Sequence, residues 1–166
     1  MSAAYPVLRQ VSGRERAARV FPGTPAAVEQ ARAFVAAELV GCPARDTLVT
    51  CVSELCTNAI RHTSSGDGGV FTVEVIRPRN GVACVAVTDA GGTGEPRVRP
   101  APRRFDGLLD YPDDVSDLSE GGRGLALVAA LSSRWGYCAA GPAQGGRTVW
   151  AEATWPIAVP DISYLV

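Results

Sequence analysis

The spacing of apolar residues along the chain predicts two helices near its start. Thr24 and Pro25 suit an N-cap and a first helical position, and apolar residues three or four positions apart extend this helix to about Val40. Apolar residues at the same spacing predict a second, central helix that ends at about His62, with Asp46 as its expected N-cap.

The central helix has an apolar face and a separate polar stripe. Its expected buried face contains Leu48, Val49, Val52, Leu55, Cys56, Ala59 and Ile60. Glu54 and Asn58 fall on a different stripe, because residues three or four apart lie on the same side of a helix, and Arg61 or His62 extends it. A carboxylate can orient or deprotonate a nucleophile. An amide oxygen is a neutral ligand that Mg²⁺ accepts next to substrate phosphates.

Runs of apolar and β-branched residues predict strands in the rest of the chain. A short edge strand is expected over 16–21, and four more over 70–76, 82–88, 134–139 and 148–154. An Asn-Gly pair at 80–81 is a strong hairpin signal between the second and third strands. A third helix follows 121–123 and contains Leu125. This order predicts an α+β fold, a two-layer sandwich whose mainly antiparallel sheet is covered on one face by about three helices.

Three segments lack sustained periodicity and define the expected domain boundaries. Residues 1–15 are expected to form a flexible N-terminal arm, and 155–166 a C-terminal tail, around a domain at 16–154. A proline-containing segment at about 95–121 lies inside the domain, where loops of such length are usually functional lids or disordered. The charged residues of this segment also fit a simple solvated loop, which is the alternative to a lid.

Composition narrows the class of protein. With 166 residues, 46% hydrophobic residues and a net charge of −1, the chain is expected to be a single soluble domain without bulk attraction to nucleic acid or membranes. It contains neither a membrane-length apolar run nor a signal-peptide pattern, so a cytoplasmic location is expected. All 16 basic residues are arginine, which excludes a Walker-type phosphate loop and a kinase of the eukaryotic type, because both need a lysine. The five cysteines are expected to be reduced thiols in the core.

Further candidate residues lie after the third strand and before the third helix. Asp89 ends a mostly apolar strand, where its carboxylate can accept a hydrogen bond from a ligand amine or form an Asx-turn with Gly91. The glycines after Asp89 allow a close approach of a ligand to the backbone. Gly122 and Gly124 at a helix start can offer backbone N–H groups to an anion or form a simple turn. Arg123 between them can reach a phosphate or face solvent.

Together these motifs resemble a known family. Glu-x-x-x-Asn on a helix, Asp-x-Gly-x-x-Gly after a strand and Gly-x-Gly-Leu at a helix start are similar to the ATP-binding domain shared by gyrase, Hsp90, histidine kinases and MutL, the GHKL or Bergerat fold. The combination of Ser-Glu-Leu-x-Thr-Asn-Ala-x-Arg-His and Gly-Arg-Gly-Leu-x-Leu-Val resembles the bacterial anti-sigma-factor serine/threonine kinases. The resemblance covers roughly residues 20–153.

The resemblance implies roles for the candidate residues. It implies ATP and Mg²⁺ as cofactors, Glu54 as the general base, Asn58 as the Mg²⁺ ligand and Asp89 as the residue that selects adenine. The other positions implied to bind the nucleotide are Arg61, His62, Gly91, Gly94, Gly122, Arg123, Gly124 and Leu125. The segment at 95–121 would be the ATP lid. The family more often reads Asp-x-Gly-x-Gly, so the second glycine comes one residue late here. His62 is expected to contact a phosphate or the lid, or to face the helix dipole.

The implied function is phosphorylation of an anti-anti-sigma-factor-like protein and sequestration of a sigma factor, with a homodimer allowed for. Two alternatives stay open. The chain could be a non-catalytic module in which ATP sets partner affinity, or a detached histidine-kinase-type catalytic domain.

Overall fold

The computed structural model describes residues 15–92, 123–140 and 146–157. In these ranges the strands are β1 (Arg16–Pro22), β2 (Val70–Arg79), β3 (Val82–Asp89), β4 (Arg134–Ala139) and β5 (Arg147–Thr154). The helices are α1 (Pro25–Glu38), α2 (Arg45–His62) and α3 (Gly124–Leu131), and a short 3₁₀ turn spans Ser64–Gly66. The expected strands and helices are therefore present, with boundaries that differ by a few residues.

The five strands form one antiparallel sheet in the order β1-β2-β3-β5-β4. β5 lies between β3 and β4, although β4 comes before it in the chain. This arrangement places Arg147, at the start of β5, directly opposite Asp89, at the end of β3.

The main core lies between the helices and one face of the sheet. Alternate residues of β3, Ala83, Val85 and Val87, point into this core together with Val73 and Val75 of β2. The helical side of the core is formed by Ala27, Ala31, Val35, Leu48, Cys51, Val52, Leu55, Cys56, Ala59 and Val128. Phe21 stacks on Phe71 with ring centroids 5.7 Å apart. The predicted two-layer α+β sandwich is confirmed.

The opposite face of the sheet, called here the outer face, carries a second apolar cluster of Ile76, Cys84, Ala86 and Trp150. Glu152 lies on the same face, since it alternates with Ala151 and Ala153, and it is only 4% exposed. Its Oε1 lies 3.9 Å from Nη1 of Arg134 on β4. Within the described residues its Oε2 accepts no hydrogen bond.

Local backbone signals explain the hairpin but not the start of α2. Asn80 and Gly81 both have positive φ, 49° and 72°, as a tight hairpin turn requires, so the hairpin expected from the Asn-Gly pair is confirmed. The expected N-cap at Asp46 is wrong, because α2 begins at Arg45 with Ala44 as its N-cap. Asp46 instead lies in the first turn, where a carboxylate still interacts favourably with the helix dipole.

The ends of the expected domain are described only in part. Residues 1–14, 93–122 and 158–166, which include most of the expected arm, lid and tail, lie outside the described residues. Glu15 forms an ion pair with Arg79 at 3.0 Å, and the backbone N–H of Trp155 donates to the carbonyl of Gly81 at 2.8 Å. None of the described helices is long and apolar enough to span a membrane.

All five cysteines lie in the described residues, and within these residues none forms a disulfide bond. Cys42, Cys51, Cys56 and Cys84 are buried, and Cys138 on β4 is half-buried. The prediction of reduced thiols, mostly in the core, is confirmed.

Candidate functional site

α2 presents its polar stripe at the edge of the core. The helix is anchored by Leu55 and Ala59, which are almost completely buried. Glu54 and Asn58 lie beside this buried face and are half-buried. Their carboxylate and amide are therefore held on a rigid element, partly out of water.

Glu54 meets the start of α3. Gly124, the first residue of α3, is buried, and a Cβ atom at this position would lie 2.6 Å from Oε2 of Glu54. The glycine is therefore what allows the carboxylate to approach the helix so closely. The N-terminus of a helix carries a partial positive charge and exposed N–H groups, and it favours an anion. The structure thus brings together two motifs that lie 70 residues apart in the sequence (124 minus 54).

Asp89 sits at the rim of the sheet with only 8% of its surface exposed. Its Oδ1 accepts a hydrogen bond from the backbone N–H of Gly91 at 2.7 Å, so the Asx-turn interpretation is confirmed. Burial raises the pKa of the Asp89 carboxyl, while the N–H of Gly91, the charge of Arg147 and the N–H of Arg147 each oppose that rise. A carboxylate has about four acceptor positions, so the turn leaves capacity for a ligand donor.

The residues after Asp89 pack against the end of α2. Gly91 has a φ of 81°, a conformation that favours glycine, and its carbonyl accepts a hydrogen bond from the N–H of Ser64 at 3.0 Å. At Gly92, a Cβ atom would lie 2.5 Å from the carbonyl oxygen of His62. The loop that follows Asp89 is therefore fixed to the C-terminus of α2.

Ser65 is a site residue that the sequence analysis missed. It is completely buried, and its hydroxyl donates to the carbonyl of Val70 at 2.8 Å and accepts from the N–H of Ala90 at 3.0 Å. The hydroxyl of Thr63 in turn accepts from the N–H of Ser65 at 3.1 Å. The only sequence signal was a Thr-Ser-Ser run after a helix, which is typical of hydroxyl-capped turns but does not identify a distant partner.

The predicted site residues differ in what they contact and in how far they are buried. Glu54 contacts Gly124, and Asp89 contacts Gly91, in two clusters that both adjoin α2. The side chains of Arg61, His62 and Arg123 are exposed, and Leu125 packs partly against the core. Gly94 and Gly122 lie outside the described residues, so their predicted roles stay predictions.

The donor set fits a nucleotide better than a free metal ion. The described residues contain no group of three or more His, Cys, Asp or Glu side chains that could hold a metal ion. Asn58 offers one neutral oxygen, and Mg²⁺ bound beside a nucleotide commonly takes its other ligands from phosphates and water. The buried carboxylate at a rim, the positive-φ glycine beside it and the glycine at the start of a helix are the kinds of group that suit contacts with a base and with phosphates.

Comparison with known proteins agrees with this arrangement. The sequence model of a family described as histidine kinase-like ATPase domain matches residues 21–152. No curated protein matches the chain. The matched range runs from the end of β1 into β5 and contains both clusters around α2, together with residues outside the described part of the chain. The chain therefore belongs to the histidine kinase-like ATPase domain family, whose ATP-binding regulatory function it shares.

Proposed function

We propose that this chain is a protein serine/threonine kinase that uses Mg-ATP to phosphorylate an anti-anti-sigma-factor-like partner and that sequesters a sigma factor in the cytoplasm. The observation that carries the kinase part is the approach of Glu54 to the first residue of α3. A candidate base lies beside a helix N-terminus suited to phosphate groups. The partner classes rest on the Ser-Glu-Leu-x-Thr-Asn-Ala-x-Arg-His sequence of α2, through its resemblance to anti-sigma-factor kinases.

Recognition of adenine is assigned to the rim of the sheet. Asp89 accepts a hydrogen bond from the exocyclic amine with the acceptor capacity that the Gly91 N–H leaves. The positive φ of Gly91 keeps side-chain bulk away from the base. Guanine carries a carbonyl in place of that amine, so a carboxylate here disfavours GTP.

Phosphoryl transfer is assigned to residues of α2 and α3. ATP supplies the phosphoryl group, and Asn58 would hold the Mg²⁺ that accompanies it and that would offset the charge of the phosphates. Glu54 takes the proton from the incoming serine or threonine hydroxyl as that oxygen bonds to phosphorus, and ADP is the leaving group. The N–H groups at the start of α3 stabilise the charge that develops on the phosphoryl oxygens.

The nucleotide site is tested by isothermal titration calorimetry with Mg-ATP and Mg-GTP. We expect the wild type to bind ATP selectively, Asp89→Asn to lose about tenfold or more in affinity, and Asn58→Ala to lose the Mg²⁺ dependence of binding. Asp67→Asn is the matched control, because Asp67 is an exposed aspartate in the turn after α2. Absence of ATP binding by the wild type would contradict the proposal.

The kinase step is tested by incubating the protein with labelled ATP and a candidate antagonist. Glu54→Gln should abolish transfer and leave ATP affinity nearly unchanged. Glu29→Gln, at an exposed position on α1, should change neither transfer nor ATP affinity. An acid-stable product supports serine or threonine as the acceptor, and an acid-labile product indicates histidine. Equal loss of binding and transfer in Glu54→Gln would mean that Glu54 is structural. A wild type that binds ATP and changes partner affinity without transfer would be a non-catalytic module.

A further inference from the structure

Arg147 lies next to the residue proposed to recognise adenine. It is the first residue of β5, and in the sheet register it is directly opposite Asp89. The chain approaches Asp89 closely at this point, since a Cβ atom on the preceding Gly146 would lie 1.9 Å from the carbonyl oxygen of Asp89. Side chains alternate along β5, so Arg147 shares with Val149 and Ala151 the face that packs against the helices.

Two different interactions join Arg147 to the Asp89 carboxyl. The backbone N–H of Arg147 donates a hydrogen bond to the carboxylate, and the positive charge of its side chain acts on the same group. Both interactions favour the ionised carboxyl and lower its pKa, whereas burial raises that pKa. Arg147 therefore opposes the tendency of the buried group to hold a proton.

The other described elements around Asp89 contribute no comparable charge. The 3₁₀ turn brings the neutral Ser65, whose hydroxyl bonds to Ala90, and β2 brings Phe71 and Val73 to the same side of the sheet. The last turn of α2 carries Arg61 and His62, whose side chains are exposed. Among the residues that the structure describes, Arg147 is the cation that acts on Asp89.

We propose that Arg147 is a positioning residue that keeps Asp89 ionised and oriented, so that its carboxylate accepts the hydrogen bond of the adenine amine. A protonated carboxyl would carry an O–H donor at the rim, and a donor facing the amine donor would weaken recognition. The proposal rests on the proposed ATP site, because the recognition step is a step of that function.

The first test uses the protein without nucleotide. The carboxyl of Asp89 is titrated by NMR on protein labelled with ¹³C-aspartate, in the wild type and in Arg147→Met, Arg147→Lys and Arg134→Met. Arg147→Met removes the charge and keeps the backbone N–H, so we expect its Asp89 midpoint to rise by about one pH unit. Arg147→Lys should restore the wild-type midpoint. Arg134→Met, which removes a cation from the outer face, should not change it.

The second test is a double-mutant cycle on Mg-ATP affinity. Arg147→Met should weaken binding by up to about tenfold at a pH below both Asp89 midpoints and much less at a pH well above them, and it should have no effect in the Asp89→Asn background. Each variant is compared with its parent protein at the same pH, so the titration of ATP itself cancels in the ratio of their two affinities.

Two results would overturn the inference. One is an Asp89 midpoint that does not move in Arg147→Met. The other is a loss of ATP affinity that is equal at both pH values and persists in Asp89→Asn, which would mean that Arg147 contacts the nucleotide directly. If the wild type bound no ATP, the proposed function would fail, and the NMR titration would still decide whether Arg147 controls the ionisation of Asp89.

Discussion

Among individual residues, Asp89 carries a carboxyl group that is nearly buried at the end of β3. Its pKa is raised from 3.8, chiefly by burial, so the folded protein holds this proton more tightly than the unfolded chain does. The stability that the proton contributes is fully present below pH 3.8 and is lost as the pH rises through the folded-state pKa. At neutral pH the ionised group therefore lowers the free energy of unfolding.

Asp89→Asn should consequently raise the unfolding temperature at neutral pH while it weakens ATP binding. The amide oxygen can still accept from the Gly91 N–H, and no charge is buried. This gain in unfolding temperature should shrink as the pH is lowered towards 3.8, because the wild-type carboxyl then becomes protonated and uncharged. Thermal unfolding of both proteins across this range, with the exposed-site variant Asp67→Asn as control, measures the effect. A variant that is less stable than the wild type at neutral pH would show that the hydrogen bonds to the carboxylate outweigh its burial.

Gly124 leaves room for the Glu54 carboxylate at the start of α3. Gly124→Ala places a methyl group 2.6 Å from Oε2 of Glu54, and the flexible end of the Glu54 side chain must move away. We expect phosphotransfer to fall by about 100-fold, because a base displaced by about an ångström loses its alignment. The unfolding temperature should hardly change, since alanine is favourable in a helix. Transfer at the wild-type rate would exclude a catalytic role for this contact.

At the scale of elements, the turn after α2 joins the helix to the end of β3. Ser65→Ala removes a completely buried hydroxyl that bonds both Val70 and Ala90. Loss of its two partners should lower the free energy of unfolding by about 1–3 kcal/mol and weaken ATP binding through the loosened Asp89 turn. Ser64→Ala changes an exposed neighbour and should be nearly neutral. Urea unfolding and calorimetry on both variants measure the two effects, and equal behaviour of the variants would contradict the assignment.

The elements were more predictable from sequence than their connections. Helices and strands follow from hydrophobic periodicity, and the β2–β3 hairpin follows from Asn80-Gly81, because these signals are local. The position of β5 between β3 and β4, the role of Ser65 and the contact of Glu54 with Gly124 depend on the packing of distant segments. The start of α2 at Arg45 shows the same limit, since a good capping residue was available at Asp46 and was not used.

At the scale of the whole molecule, the two faces of the sheet differ in chemistry. The helical face carries the main apolar core, whereas the outer face buries the carboxylate of Glu152 beside Cys84 and Trp150. Arg134 lies 3.9 Å away and is 56% exposed, so it stays hydrated and neutralises Glu152 weakly.

Glu152→Met should therefore raise the free energy of unfolding by about 1 kcal/mol, because an apolar side chain of similar length replaces a poorly paired buried charge. Arg134 is largely exposed and stays hydrated, so the loss of its ion pair with Glu152 costs little free energy. Urea unfolding measures the change. Glu74→Met is the contrasting variant, because the Glu74 carboxylate forms an ion pair with Arg16, and it should not stabilise the protein. A destabilised Glu152→Met variant would mean that the carboxylate has a partner outside the described residues.

The buried thiols report separately on local opening at the two faces of the sheet. Burial, reinforced by the charge of Glu54, raises the pKa of Cys51 to about 11, and burial alone raises that of Cys56 to about 12, both on the helical side. Burial also raises the pKa of Cys84 on the outer face. The thiolate attacks the thiol reagent, so these three cysteines should react only when the protein opens locally around them, whereas the half-buried Cys138 should react in the closed protein. The labelling rate of each cysteine, with and without ATP, therefore measures how fast the protein opens at each face of the sheet, and no engineered probe is needed.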